Sequence, residues 1–177
     1  MLQNVLNNKE SPLLLVIDDD RTMLMTLEAQ LLKQGYRVIT AINGSTACDR
    51  IEKNHKELDA ILLDRMMPDM DGLAVVKWFD SKTNITKVPI IMQTGADSPE
   101  QIKEGIDAGV FYYLTKPISA DILKSVVASA VRESKQKKIL REEMDRHNLS
   151  YSLVNECKFR LFNLTQAEQL ACFLANM

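Results

Sequence analysis

The sequence predicts an α/β protein with a doubly wound parallel sheet. Five short, nearly continuous apolar runs recur between residues 13 and 115, and a stretch with helical periodicity follows each of them. Such apolar strands are typical of sheets that are buried on both faces. Strands that alternate with helices form parallel sheets with helices on either side. Together, these two observations predict five βα units.

The strands and helices can be placed one by one. Leu24, Leu27 and Leu31 have the spacing of an amphipathic first helix, and Gly35 is a plausible stop for it. The apolar runs are LLLVID, YRVIT, DAILLD, VPIIMQT and VFYYLT. The helices are expected over residues 21–34, 44–54, 71–81 and 98–108, and a fifth begins near Ser119.

Composition limits the class of protein. The chain has 177 residues, of which 46% are hydrophobic, which allows one domain with an appendage. A net charge of −2 gives no electrostatic reason to expect binding to nucleic acid. Cys48, Cys157 and Cys172 have no metal-ligand spacing and are expected to be reduced. Residues 1–11 form a polar arm without a signal sequence, so a cytoplasmic protein without a membrane span is expected.

The fifth helix has no obvious end. No proline follows Pro117 and no glycine follows Gly109, and residues 132–150 are polar enough for an exposed helical connector. Its Glu–Lys and Glu–Arg pairs at i, i+4 support a helix. A broken heptad seam leaves coiled-coil pairing open; it runs through Val126, Ala130, Leu140, Met144 and Tyr151, with Glu133 and Lys137 interrupting it.

The C-terminal tail, residues 151–177, changes character again. Residues 158–162 alternate like a strand, and Thr165 with Glu168 has the spacing of a capping box that begins a helix. One strand and one helix cannot close a hydrophobic core. The tail is therefore expected to dock elsewhere or to begin an output domain that the sequence does not complete.

Polar residues follow four of the predicted strands, where doubly wound sheets place their sites. Asp18 and Asp19 follow the first strand, Asp64 the third, Thr94 the fourth and Lys116 the fifth. Two charges about 4 Å apart repel by roughly 4 kcal/mol at an effective dielectric constant near 20, so the carboxylates need a cation. Oxygen ligands of this kind suit Mg²⁺.

One enzyme alternative rests on the third aspartate of the run. Asp18, Asp20 and Thr22 spell the D-x-D-x-T pattern of haloacid-dehalogenase-like phosphohydrolases, with Asp18 as nucleophile and Asp20 as general acid/base. The acidic pair that should follow the lysine is missing, and no segment is long enough for a cap. Asp20 has a simpler interpretation as the N-cap of the first helix.

Four segments together resemble the receiver domain of chemotaxis-type, two-component response regulators. They are LLLVIDDD, AILLDRMMPDMDG, PIIMQTGA and YYLTKPIS, each at the end of its own strand. The resemblance covers residues 12–131. It implies a flavodoxin-like (βα)5 sheet in the order 2-1-3-4-5, and a phosphoacceptor switch rather than an enzyme. The complete set of site residues argues against a module that works without phosphorylation.

The resemblance implies a role for each residue of the site. Asp64 would be the phosphoacceptor, Asp19 and the Met66 backbone carbonyl would bind Mg²⁺ with Asp64, and Asp18 would act through water. Thr94 and Lys116 would bind the phosphoryl oxygens. The resemblance further implies that Tyr113 is an aromatic switch, that the peptide bond before Pro117 is cis, and that Met66 and Ala96 give a long phosphoryl lifetime. Arg65 is expected to be solvated.

The resemblance also implies partners. A sensor histidine kinase or a phosphotransfer protein would supply the phosphoryl group, and an output domain or downstream protein would receive the signal. A homodimer could form through residues 98–131 and the connector helix. The tail is similar to the opening strand and helix of anti-sigma-type, histidine-kinase-like ATPase domains, but the nucleotide-binding motifs are absent, so no ATPase activity is expected.

Overall fold

The computed structural model describes the backbone of residues 11–95 and 99–175, and the side-chain surroundings of residues 11–95 and 102–147. Five parallel strands form one sheet in the order β2-β1-β3-β4-β5. The strands are β1 (Leu13–Ile17), β2 (Arg37–Ala41), β3 (Leu58–Asp64), β4 (Ile90–Thr94) and β5 (Tyr112–Thr115). The predicted doubly wound sheet and its strand order are confirmed.

A helix follows each strand. The helices are α1 (Arg21–Lys33), α2 (Gly44–Asn54), α3 (Gly72–Ser81), α4 (Pro99–Asp107) and α5 (Ala120–Ala175). Side chains that accept hydrogen bonds from backbone N–H groups fix three of the helix starts. Asp20 accepts from Thr22 N at 2.7 Å, Asn43 from Thr46 N at 2.8 Å and Asp71 from Ala74 N at 2.7 Å.

The sheet is covered on both faces. Along β1, every side chain is buried, and alternate residues enter two separate hydrophobic clusters. The cluster that contains Leu15 includes buried residues of α2 and α3, whereas the cluster that contains Leu14 includes residues of α1 and the first turns of α5. This two-sided burial explains why the strands read as continuous apolar runs. It leaves the carboxyl ends of the strands as the place for polar groups.

The chain divides into two compact units, with the boundary between Lys135 and Gln136. Helix α5 begins in the first unit and continues through the second to Ala175. The expected strand over residues 158–162 is wrong, as is the helix start at Thr165, because the backbone is helical through both. Extending an existing helix costs far less than starting a new element, and no proline or glycine interrupts this stretch.

The heptad seam is also not available in full. Val126 and Ala130 are buried in the first unit, so they cannot face a partner helix. Leu140 and Met144 are exposed, while the side chain of Tyr151 lies outside the described residues. Within the described part of the chain, none of the helices is both long and apolar enough to cross a membrane.

One buried polar side chain conflicts with the core around it. Gln93 in β4 is 0% exposed, and neither its amide oxygen nor its amide nitrogen has a hydrogen-bond partner among the described residues. A buried polar group without a partner destabilises the folded state. The position therefore favours an apolar side chain of similar length.

We expect Gln93→Met to raise the free energy of unfolding by about 1–3 kcal/mol, because it removes an unsatisfied amide while keeping the side-chain length. Urea unfolding monitored by circular dichroism measures the change. The control is Gln136→Met, at an exposed helical position, which should change stability little. A loss of stability in Gln93→Met would mean that the amide has a partner in solution.

Candidate functional site

Three carboxylates meet at the carboxyl edge of the sheet. Oxygen atoms of Asp18, Asp19 and Asp64 lie within 4.8 Å of one another. Asp18 and Asp64 are buried, with 1% and 5% of their surfaces exposed, whereas Asp19 is exposed. The neighbouring strands β1 and β3 bring these residues together, as the sequence predicts.

The Lys116 ammonium lies between two of these carboxylates. Its Nζ donates to Asp18 Oδ2 at 2.9 Å and to Asp64 Oδ1 at 2.7 Å. The backbone N–H of Lys116 donates to Thr94 O at 2.7 Å, which fixes the lysine beside the end of β4. The peptide bond between Lys116 and Pro117 is cis, as the resemblance implies.

Burial and charge act in opposite directions on this group of residues. Burial alone would lower the pKa of Lys116, but the hydrogen bonds and charges of Asp64 and Asp18 outweigh it and raise that pKa. Burial raises the pKa of Asp64; Lys116 opposes this increase, and the charges of Asp18 and Asp19 add to it. One ammonium does not balance three carboxylates, so the cluster retains negative charge when all three are ionised.

The donor set fits a hard divalent cation. Asp18 uses both oxygens within the protein, since Oδ1 accepts from Asp20 N at 2.9 Å and Oδ2 accepts from Lys116. Asp19 is exposed and has no hydrogen-bond partner among the residues whose surroundings are described. Mg²⁺ prefers one or two carboxylates and keeps several waters. Asp19 and Asp64 could therefore bind it directly, and Asp18 fits the outer position.

Two further residues predicted from the sequence lie near this edge. Thr94 ends β4 and is 4% exposed, and its hydroxyl oxygen has no hydrogen-bond partner within the described ranges. Tyr113 in β5 is paired with Met92, and its hydroxyl oxygen is buried. The Met66 side chain is 70% exposed in the loop after Asp64, and Ala96 lies outside the described residues.

The expectation that Arg65 is solvated is wrong. Its side chain is only 7% exposed, and Nη1 lies 3.1 Å from Asp71 Oδ2. The same loop is closed by Gly72 N, which donates to Arg65 O at 3.0 Å, and a side chain on Gly72 would overlap the Asp64 carbonyl oxygen. The ion pair therefore holds the loop that contains Met66. An arginine directly after a buried strand, six residues before a helix N-cap, was the available signal.

The phosphohydrolase alternative is not favoured. The Asp20 carboxylate accepts hydrogen bonds from Thr22 N and Met23 N, so it caps α1 instead of facing the cluster as a general acid. These backbone hydrogen bonds lower the pKa of Asp20. A general acid needs the opposite shift, because it must carry a proton near neutral pH. The N-cap interpretation of Asp20 is confirmed.

Known proteins share both the sequence and the fold of the first unit. The sequence model of the response regulator receiver domain matches residues 14–128. The two-component response regulator ARR10 of Arabidopsis thaliana is 32% identical over 70% of this chain, and the response regulator MprA of Mycobacterium sp. (strain KMS) is 36% identical over 68%. The matches span 22% and 51% of those two relatives, so the chain covers about a fifth of the first and about half of the second.

Solved structures of chemotaxis proteins and receiver domains have the same fold as the first unit. The Vibrio cholerae chemotaxis protein CheY4 has a TM-score of 0.61 at 30% identity, with 68% of this chain and 98% of that chain covered. The receiver domain of the Francisella response regulator 1452 has a TM-score of 0.65 at 31% identity, with 70% and 99% covered.

The matched region of the family ends well before the tail. The similarity of residues 158–177 to a histidine-kinase-like ATPase domain finds no support in these comparisons, and the strand on which it rested is helical. The family match and the relatives instead all cover the first unit, which contains the five-stranded sheet and the residues predicted to form the site. The chain belongs to the response regulator receiver domain family.

Proposed function

We propose that this chain is the receiver part of a two-component response regulator, with Asp64 as its phosphoacceptor. The main support is the position of the Asp64 carboxylate, which is buried at the sheet edge 2.7 Å from the Lys116 ammonium. A sensor histidine kinase or a phosphotransfer protein is the phosphoryl donor. The relatives named as response regulators support this assignment.

The chemistry is a transfer to a carboxylate. An oxygen of Asp64 attacks the phosphorus, and the bond between phosphorus and the donor's histidine nitrogen breaks, with its electron pair remaining on that nitrogen. Mg²⁺, when bound, neutralises charge on the phosphoryl oxygens. Asp19, Asp64 and the Met66 backbone carbonyl would hold the ion, and Asp18 would do so through water. The Arg65–Asp71 ion pair keeps the Met66 loop in place.

Thr94 and Lys116 respond to the new charge. A phosphoryl group carries roughly −1.5 to −2 charges at neutral pH, which replace the single charge of the Asp64 carboxylate. The Thr94 hydroxyl, which has no hydrogen-bond partner among the described residues, can donate to a phosphoryl oxygen, and Lys116 can exchange its carboxylate contacts for one. Tyr113, three residues before Lys116, then acts as the switch in β5. Neither Met66 nor Ala96 carries a group that could orient an attacking water, which supports a persistent phosphoryl state.

The signal leaves through an apolar surface or through α5. Large apolar side chains are exposed on α4, on β5 with the residue before it, and on α5; they are Ile106, Phe111, Tyr112 and Ile122. We propose that these side chains form the interface of a homodimer. In the second unit, Leu140 and Met144 are also exposed. The helix beyond residue 131 connects to an output domain or docks on a downstream protein. Direct binding to nucleic acid is not proposed.

We expect wild-type protein incubated with acetyl phosphate and Mg²⁺ to gain the mass of one phosphoryl group, whereas Asp64→Asn gains none. Intact-mass spectrometry measures the change. The control is Asp69→Asn, an exposed acid in the following loop, which should be phosphorylated like wild type. Equal phosphorylation of Asp64→Asn and wild type would refute the assignment of the phosphoacceptor.

Beryllofluoride, which mimics the phosphoryl group, should shift the protein from monomer to dimer in the presence of Mg²⁺. Ile106→Glu should weaken this dimer by about tenfold or more, because it places a charge in the apolar surface. Light scattering after size exclusion measures the mass. Met25→Glu, at an apolar residue on α1 that is 70% exposed against 59% for Ile106, is the control and should still dimerise. A beryllofluoride-bound protein that stays monomeric at high concentration would contradict a dimeric output.

A further inference from the structure

Gly105 lies where a side chain would meet the Tyr113 ring. It is a buried residue of α4. A Cβ atom built on Gly105 would overlap the Tyr113 hydroxyl oxygen and would lie 2.7 Å from Cζ. Contacts this short do not occur between real side chains, and the nearest atoms belong to a rigid ring. Any residue larger than glycine would therefore push the ring away or displace the helix.

The backbone gives no other reason for a glycine here. Among the described residues, the glycines with positive φ are Gly35 and Gly109, so Gly105 has an ordinary helical conformation. Glycine in a helix interior is less favourable than alanine. The space that the missing side chain leaves for Tyr113 is the feature that offsets this disadvantage.

We propose that Gly105 forms a notch in α4 that admits the Tyr113 ring, and that this notch makes Gly105 a positioning residue for the switch. The proposal rests on the proposed role of Tyr113. Tyr113 packs against the hydrophobic cluster that contains Leu15, on the face of the sheet that α2 and α3 cover.

Backbone contacts connect the notch to the phosphorylation site. Tyr113 pairs with Met92, and two residues further along the same strands Thr94 pairs with Thr115. The N–H of Lys116 then donates to Thr94 O at 2.7 Å. A movement of Thr94 or Lys116 toward a phosphoryl group therefore acts on the strand that carries Tyr113. By reciprocity, a substitution that excludes the ring from the notch must change the affinity for the phosphoryl mimic.

The test is a double-mutant cycle of Gly105→Ala and Tyr113→Ala in the full chain. Urea unfolding should show that Gly105→Ala lowers stability in the wild-type background and raises it when Tyr113 is alanine, because only the helix preference then remains. Asp107→Ala, at an exposed position of α4, is the control and should have the same effect in both backgrounds. If Gly105→Ala has an equal effect in both backgrounds, there is no notch.

The second readout is the affinity for beryllofluoride with Mg²⁺, measured by calorimetry. Gly105→Ala should change the affinity by about fivefold or more in the wild-type background. It should leave binding unchanged when Tyr113 is alanine, and Asp107→Ala should leave it unchanged in both. A notch confirmed by unfolding but without effect on this affinity overturns the positioning role. A wild-type protein that does not bind beryllofluoride refutes the proposed function instead, and the unfolding cycle still decides the notch.

Discussion

The contact of one ammonium with two buried carboxylates organises this receiver. Lys116 follows β5, the edge strand, yet its Nζ reaches Asp18 after β1 and Asp64 at the end of β3. It therefore spans β4, which lies between β3 and β5 in the sheet. Removing one partner of a buried ion pair leaves an uncompensated charge, which is strongly destabilising. The stability of the three strand ends therefore depends on the lysine and the two aspartates together.

This arrangement also connects the site to one side of the sheet, that of β4 and β5. A phosphoryl group on Asp64 would compete for Lys116, and Lys116 is tied through its backbone to Thr94 on the side of β4 and β5. Tyr113 and Gly105 lie on that same side, as do the exposed apolar residues of α4 and β5. The opposite edge, β2, contributes no side chain to the carboxylate cluster, although the Ala41 carbonyl oxygen accepts a hydrogen bond from Asp18 N at 3.2 Å. A change in charge is therefore expected to reach the α4–β5 side first.

The sequence was sufficient for the features that depend on local patterns. Apolar runs predict the strands because burial on both faces leaves no alternation, and Asp20 is recognisable as a cap because a helix with free N–H groups follows it. The site residues are predictable because parallel strands end at one edge. Their identification as a receiver site needed the spacing of all four segments.

The features that were missed depend on contacts between distant residues. The burial of Arg65 depends on Asp71 and the turn between them, and the notch at Gly105 depends on a ring in the next strand. The heptad positions Val126 and Ala130 face the sheet, which a one-dimensional repeat does not reveal. The prediction of a strand at residues 158–162 was wrong because five alternating residues are a weak signal. The preceding helix contains no proline or glycine that would end it.

Lys116 makes the buried carboxylates tolerable to each other when no divalent cation is bound. This role is tested by the free energy of unfolding, in chelator at pH 7, of Lys116→Met, Asp64→Asn and the double variant. Lys116→Met alone should lose roughly 3 kcal/mol, because it leaves Asp18 and Asp64 unpaired. Adding Asp64→Asn should recover about 1–3 kcal/mol of that loss. Purely additive effects of the two substitutions would show that Lys116 does not stabilise the buried Asp64 carboxylate.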